Sequence, residues 1–248
     1  MNDIQNKFYS SISKYYHEIF PYNQVQLQFV DRSLKGLAGK RILDIGCATG
    51  ELAFQLANAN AEVDGIDLNE DLLNQAVTKK KHPGLTFKNS DMMELKKDFQ
   101  PRQFDAVLCF GNTLVHLASE LLAGKMLNGV SIILKPGGIF LLQILNYDYI
   151  VAENITELPL IETDNIKFIR RYIIEKNNPL IRFNTSLILK REDEVIENET
   201  FLLALRSNEL KMLLVNAGFG EVEMFSSFKE EKFGGRHFPL VLRSKIPV

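Results

Sequence analysis

The sequence predicts an α/β fold: a doubly wound sheet of seven strands, mostly parallel with an antiparallel C-terminal strand, plus an inserted antiparallel β lid. Three observations predict it. From about residue 40 to 145, short apolar runs alternate with helix-length amphipathic ones, the rhythm of βαβ units. The run 104–110 is nearly all apolar, as a strand buried on both faces must be. Residues 151–205 then lose the helical period and read as three extended runs split by turns.

The elements follow in order. Residues 8–30 are aromatic-rich and helix-like, and are expected to pack over the sheet's edge. Arg41-Ile42-Leu43-Asp44-Ile45 is a first strand ending in Gly46-Cys47-Ala48-Thr49-Gly50, with a helical pattern following through Leu52, Phe54, Leu56 and Ala57. Residues 62–66 are a second strand, closed by Asp67. Asn69 suits the N-cap of a helix over Leu72, Leu73, Ala76 and Val77. Glu70 and Asp71 complement its first turn, and solvated Lys79, Lys80 and Lys81 its last. Residues 85–88 are a third strand, ending near Asn89-Ser90-Asp91. After the fourth, at 104–110, a helix is expected over about 115–127, and Lys135-Pro136-Gly137-Gly138 turns the chain into a fifth strand at 139–145.

The inserted strands are expected at 166–174, 180–190 and 195–205, with turns at Asn177-Asn178-Pro179 and Glu192-Asp193. Ser207 is expected to cap a helix through Leu210, Leu213 and Leu214. Residues 221–225 and 238–243 then form a last pair of strands around Gly234-Gly235. The division this implies is a single domain, with a core at about 36–150 and 206–248. A helical cap covers about 1–35, and the lid about 151–205.

Composition excludes several classes. At 248 residues, with 46% hydrophobic and 24% charged side chains, the chain can bury a large core. Lys plus Arg total 29 against 31 Asp plus Glu, a net charge of −2, which provides no footprint for a nucleic-acid backbone. No apolar run approaches the roughly 20 residues of a membrane span, and residues 1–7 lack the apolar core of a signal peptide. Cys47 and Cys109 sit in apolar segments, without disulfide or metal spacing. A reduced, cytoplasmic protein without a metal site is expected, and both cysteines read as small buried hydrophobes.

In an open α/β sheet, ligands bind beyond the carboxyl ends of the strands. Four features fall there. The turn from Gly46 to Gly50 admits close backbone approach. Asp67 closes the second strand, where a carboxylate can accept from both hydroxyls of a ribose. Asp91-Met92 follows the third, a carboxylate and a flat apolar neighbour suited to the edge and face of adenine. Phe110-Gly111-Asn112 follows the fourth. A dinucleotide turn, G-x-G-x-x-G, would need glycine where Ala48 and Glu51 stand. The turn has no basic residue, and Glu51 would oppose a phosphate. A nucleoside bearing positive charge fits better.

With these residues in place, Leu43-Asp44-Ile45-Gly46-Cys47-Ala48-Thr49-Gly50 resembles the first motif of class I S-adenosylmethionine-dependent methyltransferases, a Rossmann-like family. Asp67, Asp91-Met92 and Lys135-Pro136-Gly137-Gly138 match its later motifs in order and spacing. Cys109 to Leu117, and Asn146-Tyr147-Asp148-Tyr149-Ile150, are similar to segments of glycine and sarcosine N-methyltransferases. Those enzymes carry an arginine just before the second segment, where it holds the amino-acid carboxylate. Here that position is Leu145, and an apolar side chain cannot replace a guanidinium.

The resemblance implies S-adenosylmethionine as cofactor and a small-molecule methyl acceptor, methylated on nitrogen or oxygen. It implies backbone around Gly46, Cys47, Gly50 and Phe110 for the methionine part, with Asp44 organising the loop. Asp67 would take the ribose, Leu68 flank the adenine, and Asp91 with Met92 read the adenine edge. Asn112 and His116 would face the methyl-transfer space, His116 as the candidate base. Tyr15 and Tyr16 either close over the site or pack the N-terminal helix. Arg170 and Arg171 point to opposite faces of the lid, so at most one looks inward. Two other readings stay open at this point: a non-catalytic S-adenosylmethionine or S-adenosylhomocysteine binder, and an NAD-dependent oxidoreductase.

Overall fold

The computed structural model describes residues 3–176 and 178–248. Met1 and Asn2 of the expected cap, and Asn177 of an expected turn, lie outside the described residues. The chain opens with α1 (Asp3–Ile12), α2 (Tyr16–Ile19) and α3 (Gln24–Leu34). The core then alternates β1 (Arg41–Ile45), α4 (Glu51–Asn58), β2 (Glu62–Asp67), α5 (Glu70–Lys79), β3 (Leu85–Asn89), α6 (Leu95–Asp98), β4 (Phe104–Cys109), α7 (Glu120–Ile133) and β5 (Leu134–Leu145). After α8 (Tyr147–Ala152) come β6 (Ile161–Glu162), β7 (Ile166–Ile173), β8 (Leu180–Leu189) and β9 (Glu194–Leu203). The chain closes with α9 (Ser207–Asn216), β10 (Val222–Phe225) and β11 (Pro239–Lys245).

Seven strands form one sheet in the order β10-β11-β5-β4-β1-β2-β3. The pairs among β1 to β5 are parallel, and β11 runs antiparallel to both β5 and β10. Strand order reverses between β1 and β4, so their carboxyl ends open a crevice. Alternation along each strand feeds two apolar layers. Leu43, Val107 and Phe140 pack with Met126, Leu127 and Val130 of α7. Ile42, Ala106 and Leu141 face Phe29 and Val30 of α3 and Leu56 of α4. Each such fully buried large side chain contributes about 1.5–3 kcal/mol. Among the described residues no helix is long and apolar enough to cross a membrane.

The structure corrects several local expectations. The helix expected over 115–127 begins later. A 3-10 turn (Thr113–His116) comes first, and Ser119, whose Oγ accepts the Leu122 N–H at 3.3 Å, caps α7 at Glu120. The Lys135–Gly138 turn is the irregular start of β5: Gly137 has φ +74°, and register shifts between Phe104 and Ala106. Ser207 is the first residue of α9 rather than its cap; its N–H donates to Asp148 Oδ2 at 3.0 Å. Lys80 is ion-paired with Glu51 rather than solvated, which ties the end of α5 to the start of α4. The inserted sheet has four strands, β6-β7-β8-β9, the two-residue β6 being the addition.

The N-terminal segment departs most. Instead of covering a sheet edge, α1 lies between the start of α5 and β9. Asn69 explains why. Its Oδ1 caps α5 through the Leu72 N–H at 3.0 Å, while its Nδ2 donates to Asn6 Oδ1 at 2.7 Å and Ser10 Oγ at 3.0 Å. On the other side, Asn198 Nδ2 donates to Ser11 Oγ at 2.9 Å. Of this segment α3 packs on the sheet, against α4 and the interior strand β5, and its Phe29 meets Phe225 of the edge strand β10.

Candidate active site

The turn after β1 is shaped by backbone conformation. Gly46 has φ +72° and Gly50 φ +71°, and Ala48 between them also sits in the left-handed region, at φ +49°. The Gly46 and Cys47 N–H groups donate to the Ile66 carbonyl at 2.8 and 3.0 Å, fastening the turn to the end of β2. A Cβ on Gly46 would strike the Thr113 side chain, and one on Gly50 the Phe87 ring, so both glycines answer to packing. Gly111, φ +71°, differs: a Cβ there would meet nothing within 4 Å.

Beneath α1 this turn borders a cavity of about 610 Å³, the open solvent at its mouth included. Gly46, Asp67, Leu68, Met92, Phe110 and His116 line it, with Tyr9, Tyr16, Ser90, Gly111 and Thr113. Asp91 lines an adjoining cleft that shares Leu68, Met92 and His116, and its Oδ1 accepts the Met93 N–H at 2.9 Å. Four other expected residues line neither the cavity nor that cleft. Asp44 is buried below it at 4% exposure. Cys47 turns its sulfur toward Gly65, Gly50 abuts Phe87, and Asn112 points away. Asn112, at φ +68°, accepts the Leu145 N–H at 2.9 Å and donates to the Tyr147 hydroxyl at 3.2 Å, so it fixes β5 to α8.

Among the described residues Asp67 is the one carboxylate lining the cavity. Its Oδ2 accepts the Ala48 N–H and its Oδ1 the Asn69 N–H, both at 2.8 Å. Each oxygen keeps a lone pair for a hydroxyl donor. Burial raises its pKa against the lowering effect of these backbone donors. Burial and the Asp67 charge push Asp44 up to about 7. Two mutually repelling carboxylates under a cavity whose lining includes no Lys or Arg favour a cation.

Tyr16 and Tyr9, the latter not singled out by the sequence, both line the cavity. The Tyr9 hydroxyl lies 2.8 Å from His116 Nε2, and Gln5 Nε2 donates to the His116 carbonyl at 2.7 Å. Burial pushes the imidazole down to about 4, so it is neutral at neutral pH. Its Nδ1 is buried without a partner among the described residues. Burial raises the Tyr9 and Tyr16 phenols, with the Asp67 charge adding to both, which fixes them as neutral hydroxyls beside the acid. Gln5, Tyr9, Ile12 and Tyr16 follow a helical spacing, the signal that could have located this face.

The residues present fit an adenosyl sulfonium: Asp67 for ribose hydroxyls, Leu68 and Met92 as apolar walls, and negative charge without a competing cation. Comparisons with known proteins agree. A methyltransferase domain family model matches residues 37–201. The chain is 29% identical to a glycine/sarcosine N-methyltransferase of Aphanothece halophytica, covering 82% of this chain and 75% of that one. It is 30% identical to a putative methyltransferase, YqeM, of Bacillus subtilis, covering 85% and 86%. A crystal structure of a S-adenosylmethionine-dependent methyltransferase from Clostridium acetobutylicum superposes with TM-score 0.80 over 97% of this chain and 99% of that one, at 18% identity. The chain belongs to the methyltransferase domain family.

Proposed function

We propose that the protein transfers a methyl group from S-adenosylmethionine to a nitrogen or oxygen of a small molecule. The observation that carries this reading is the cavity at the carboxyl ends of β1, β2 and β4, roofed by α1 and lined by Asp67 and, among the described residues, by no Lys or Arg. S-adenosylmethionine, when bound, supplies an electrophilic methyl group on a sulfonium. Asp67 would hold the ribose, Asp44 the charge balance of the loop, and Asp91 and Met92 the adenine. The backbone of Gly46, Gly111 and Phe110 would border the methionine part.

This chain's residues supply position and dryness. Alignment of a nucleophile with a leaving group is worth about 7–11 kcal/mol in favourable cases. Tyr9, Tyr16 and the β6–β9 sheet would exclude water from that line. His116, neutral and with a free ring nitrogen, would accept a proton from an acceptor that arrives protonated, and the Tyr9 hydroxyl would orient its ring. A net charge of −2 supports a small molecule over a nucleic acid, and two buried free cysteines suit a reducing, cytoplasmic setting. Leu145 argues against glycine as the acceptor.

The test is incubation with methyl-labelled S-adenosylmethionine and a fractionated metabolite extract, followed by identification of labelled products. A labelled small molecule is expected. Cofactor binding without any labelled product would instead mark a cofactor sensor.

A further inference from the structure

The cofactor cavity continues beyond its apolar walls. Leu68 and Met92 line it and also line a second cleft, of about 970 Å³ with the open solvent at its mouth included. Asp91 lines the cleft and not the cavity. An adenine held between Leu68 and Met92, as assigned above, therefore crosses from one space into the other. Its ribose side stays with Asp67, and its amino edge reaches Asp91 inside the cleft. Beyond that edge the wall is largely apolar, with Ile4 of α1, Met93, Leu122 of α7, Leu180 of β8 and Phe201 of β9. Among the described residues Asp91 is the one carboxylate lining the cleft, and no Lys or Arg lines it. Ile4 and Phe201 are 45% and 42% exposed, so the cleft reaches water beside apolar side chains. Gln5 Nε2 donates to the His116 carbonyl at 2.7 Å, which holds α1 in place along it. A preformed apolar recess beside a polar anchor is the form a ligand site takes.

The chemistry of adenine decides what extends into that recess. Its exocyclic nitrogen, N6, carries two hydrogens, and one of them suffices for the Asp91 carboxylate. The other marks the point at which a ligand can grow into the cleft. A single substituent on N6 keeps a donor for Asp91, whereas two substituents remove it and leave a carboxylate facing carbon. The lining sets the substituent's character: a neutral apolar arm buries itself there, and an anionic one would meet Asp91. Resting on the methyltransferase reading and its adenine assignment, we propose that the cleft is a further subsite, which binds a neutral apolar group carried on N6. The protein thus takes adenosyl ligands with one alkyl or benzyl substituent on that nitrogen in preference to the unsubstituted ones. Ile4, Leu122 and Phe201 are the walls that select the arm.

The experiment is calorimetric titration of the full chain with S-adenosylhomocysteine and with its N6-benzyl and N6,N6-dimethyl derivatives. The benzyl derivative should bind about tenfold tighter than the parent, as an aromatic ring leaves water for an apolar wall. The dimethyl derivative should bind about tenfold weaker, having lost its donor to Asp91. Ile4→Glu and Phe201→Glu each place a carboxylate beside the arm at a position that is already exposed. Each should cut benzyl-derivative binding about fivefold while the affinity for the parent stays within about twofold. A benzyl derivative that binds no tighter than the parent overturns the proposal. So does a benzyl advantage that survives both substitutions, or a dimethyl derivative that binds as tightly as the parent. Failure of S-adenosylhomocysteine itself to bind the wild-type protein is a different result, which sinks the methyltransferase reading instead.

Discussion

The carboxylate of Asp67 accepts the backbone N–H of Ala48 at 2.8 Å, which joins the acid at the end of β2 to the middle of the turn after β1. The turn and the acid are thus one unit, and the cavity inherits its shape from both. At this junction alanine holds a left-handed conformation, φ +49°, while its N–H donates to Asp67.

Ala48→Gly should therefore stabilise the protein. A non-glycine residue in the left-handed region costs roughly 1–2 kcal/mol, partly offset by the larger chain entropy of glycine. A gain of about 0.5–1 kcal/mol is expected in urea denaturation. A loss would mean that the methyl group packs usefully.

Asp67→Ala removes a charged acceptor and should weaken S-adenosylhomocysteine binding by about 1.5–3 kcal/mol, measured by titration calorimetry. Unchanged affinity would remove the ribose from Asp67.

Asp44, held near 7 by burial and by Asp67, makes both binding and stability pH-dependent. A cation entering the cavity favours the ionised form, so binding at pH 7 should release a proton. Affinity should rise as pH passes upward through 7. Titrations in buffers of different ionisation enthalpy measure the proton directly. Stability runs the other way in the unliganded protein. The raised folded pKa means that the native state binds more protons than the unfolded one between about 4 and 7, so the contribution of Asp44 falls as pH rises through that window. Asp44→Asn should then raise the melting temperature at pH 8 and weaken cofactor binding. A lower melting temperature would show the ionised carboxylate to be structurally required.

His116 is depressed to about 4, so the unfolded chain binds the extra proton between that value and about 6.5. Its contribution to stability should grow as pH rises through that window, and His116→Gln should flatten this part of the profile. NMR titration of the imidazole should find a midpoint near 4; a midpoint near 6.5 would place the ring in water.

Much of this was legible in the sequence because the signals were local. Apolar runs, Asn69 as a cap and the Asp67 and Asp91 strand ends mark the core, the cavity at the strand ends and the cleft beside it. The helix after β4 begins later than its pattern suggests, because Leu114, Val115 and Leu117 continue the apolar pattern while the capping oxygen belongs to Ser119. The place of α1 was illegible because its partners, Asn69, His116 and Asn198, are distant in sequence. Asn112 was assigned to the reaction space, but its amide is spent on Leu145 and Tyr147, which no spacing rule reveals. The sequence could say that one of Arg170 and Arg171 faces inward. It could not say which: Arg171 pairs with Glu157 at 3.0 Å on the outer side, which leaves Arg170 inward.

If acid at the strand ends selects an adenosyl cation, calorimetric titration of the wild-type protein with S-adenosylmethionine, S-adenosylhomocysteine and NAD will show it. Both adenosyl ligands should bind at one site, S-adenosylmethionine releasing a proton near pH 7, and NAD should give no heat. Binding of NAD without affinity for S-adenosylmethionine would contradict it.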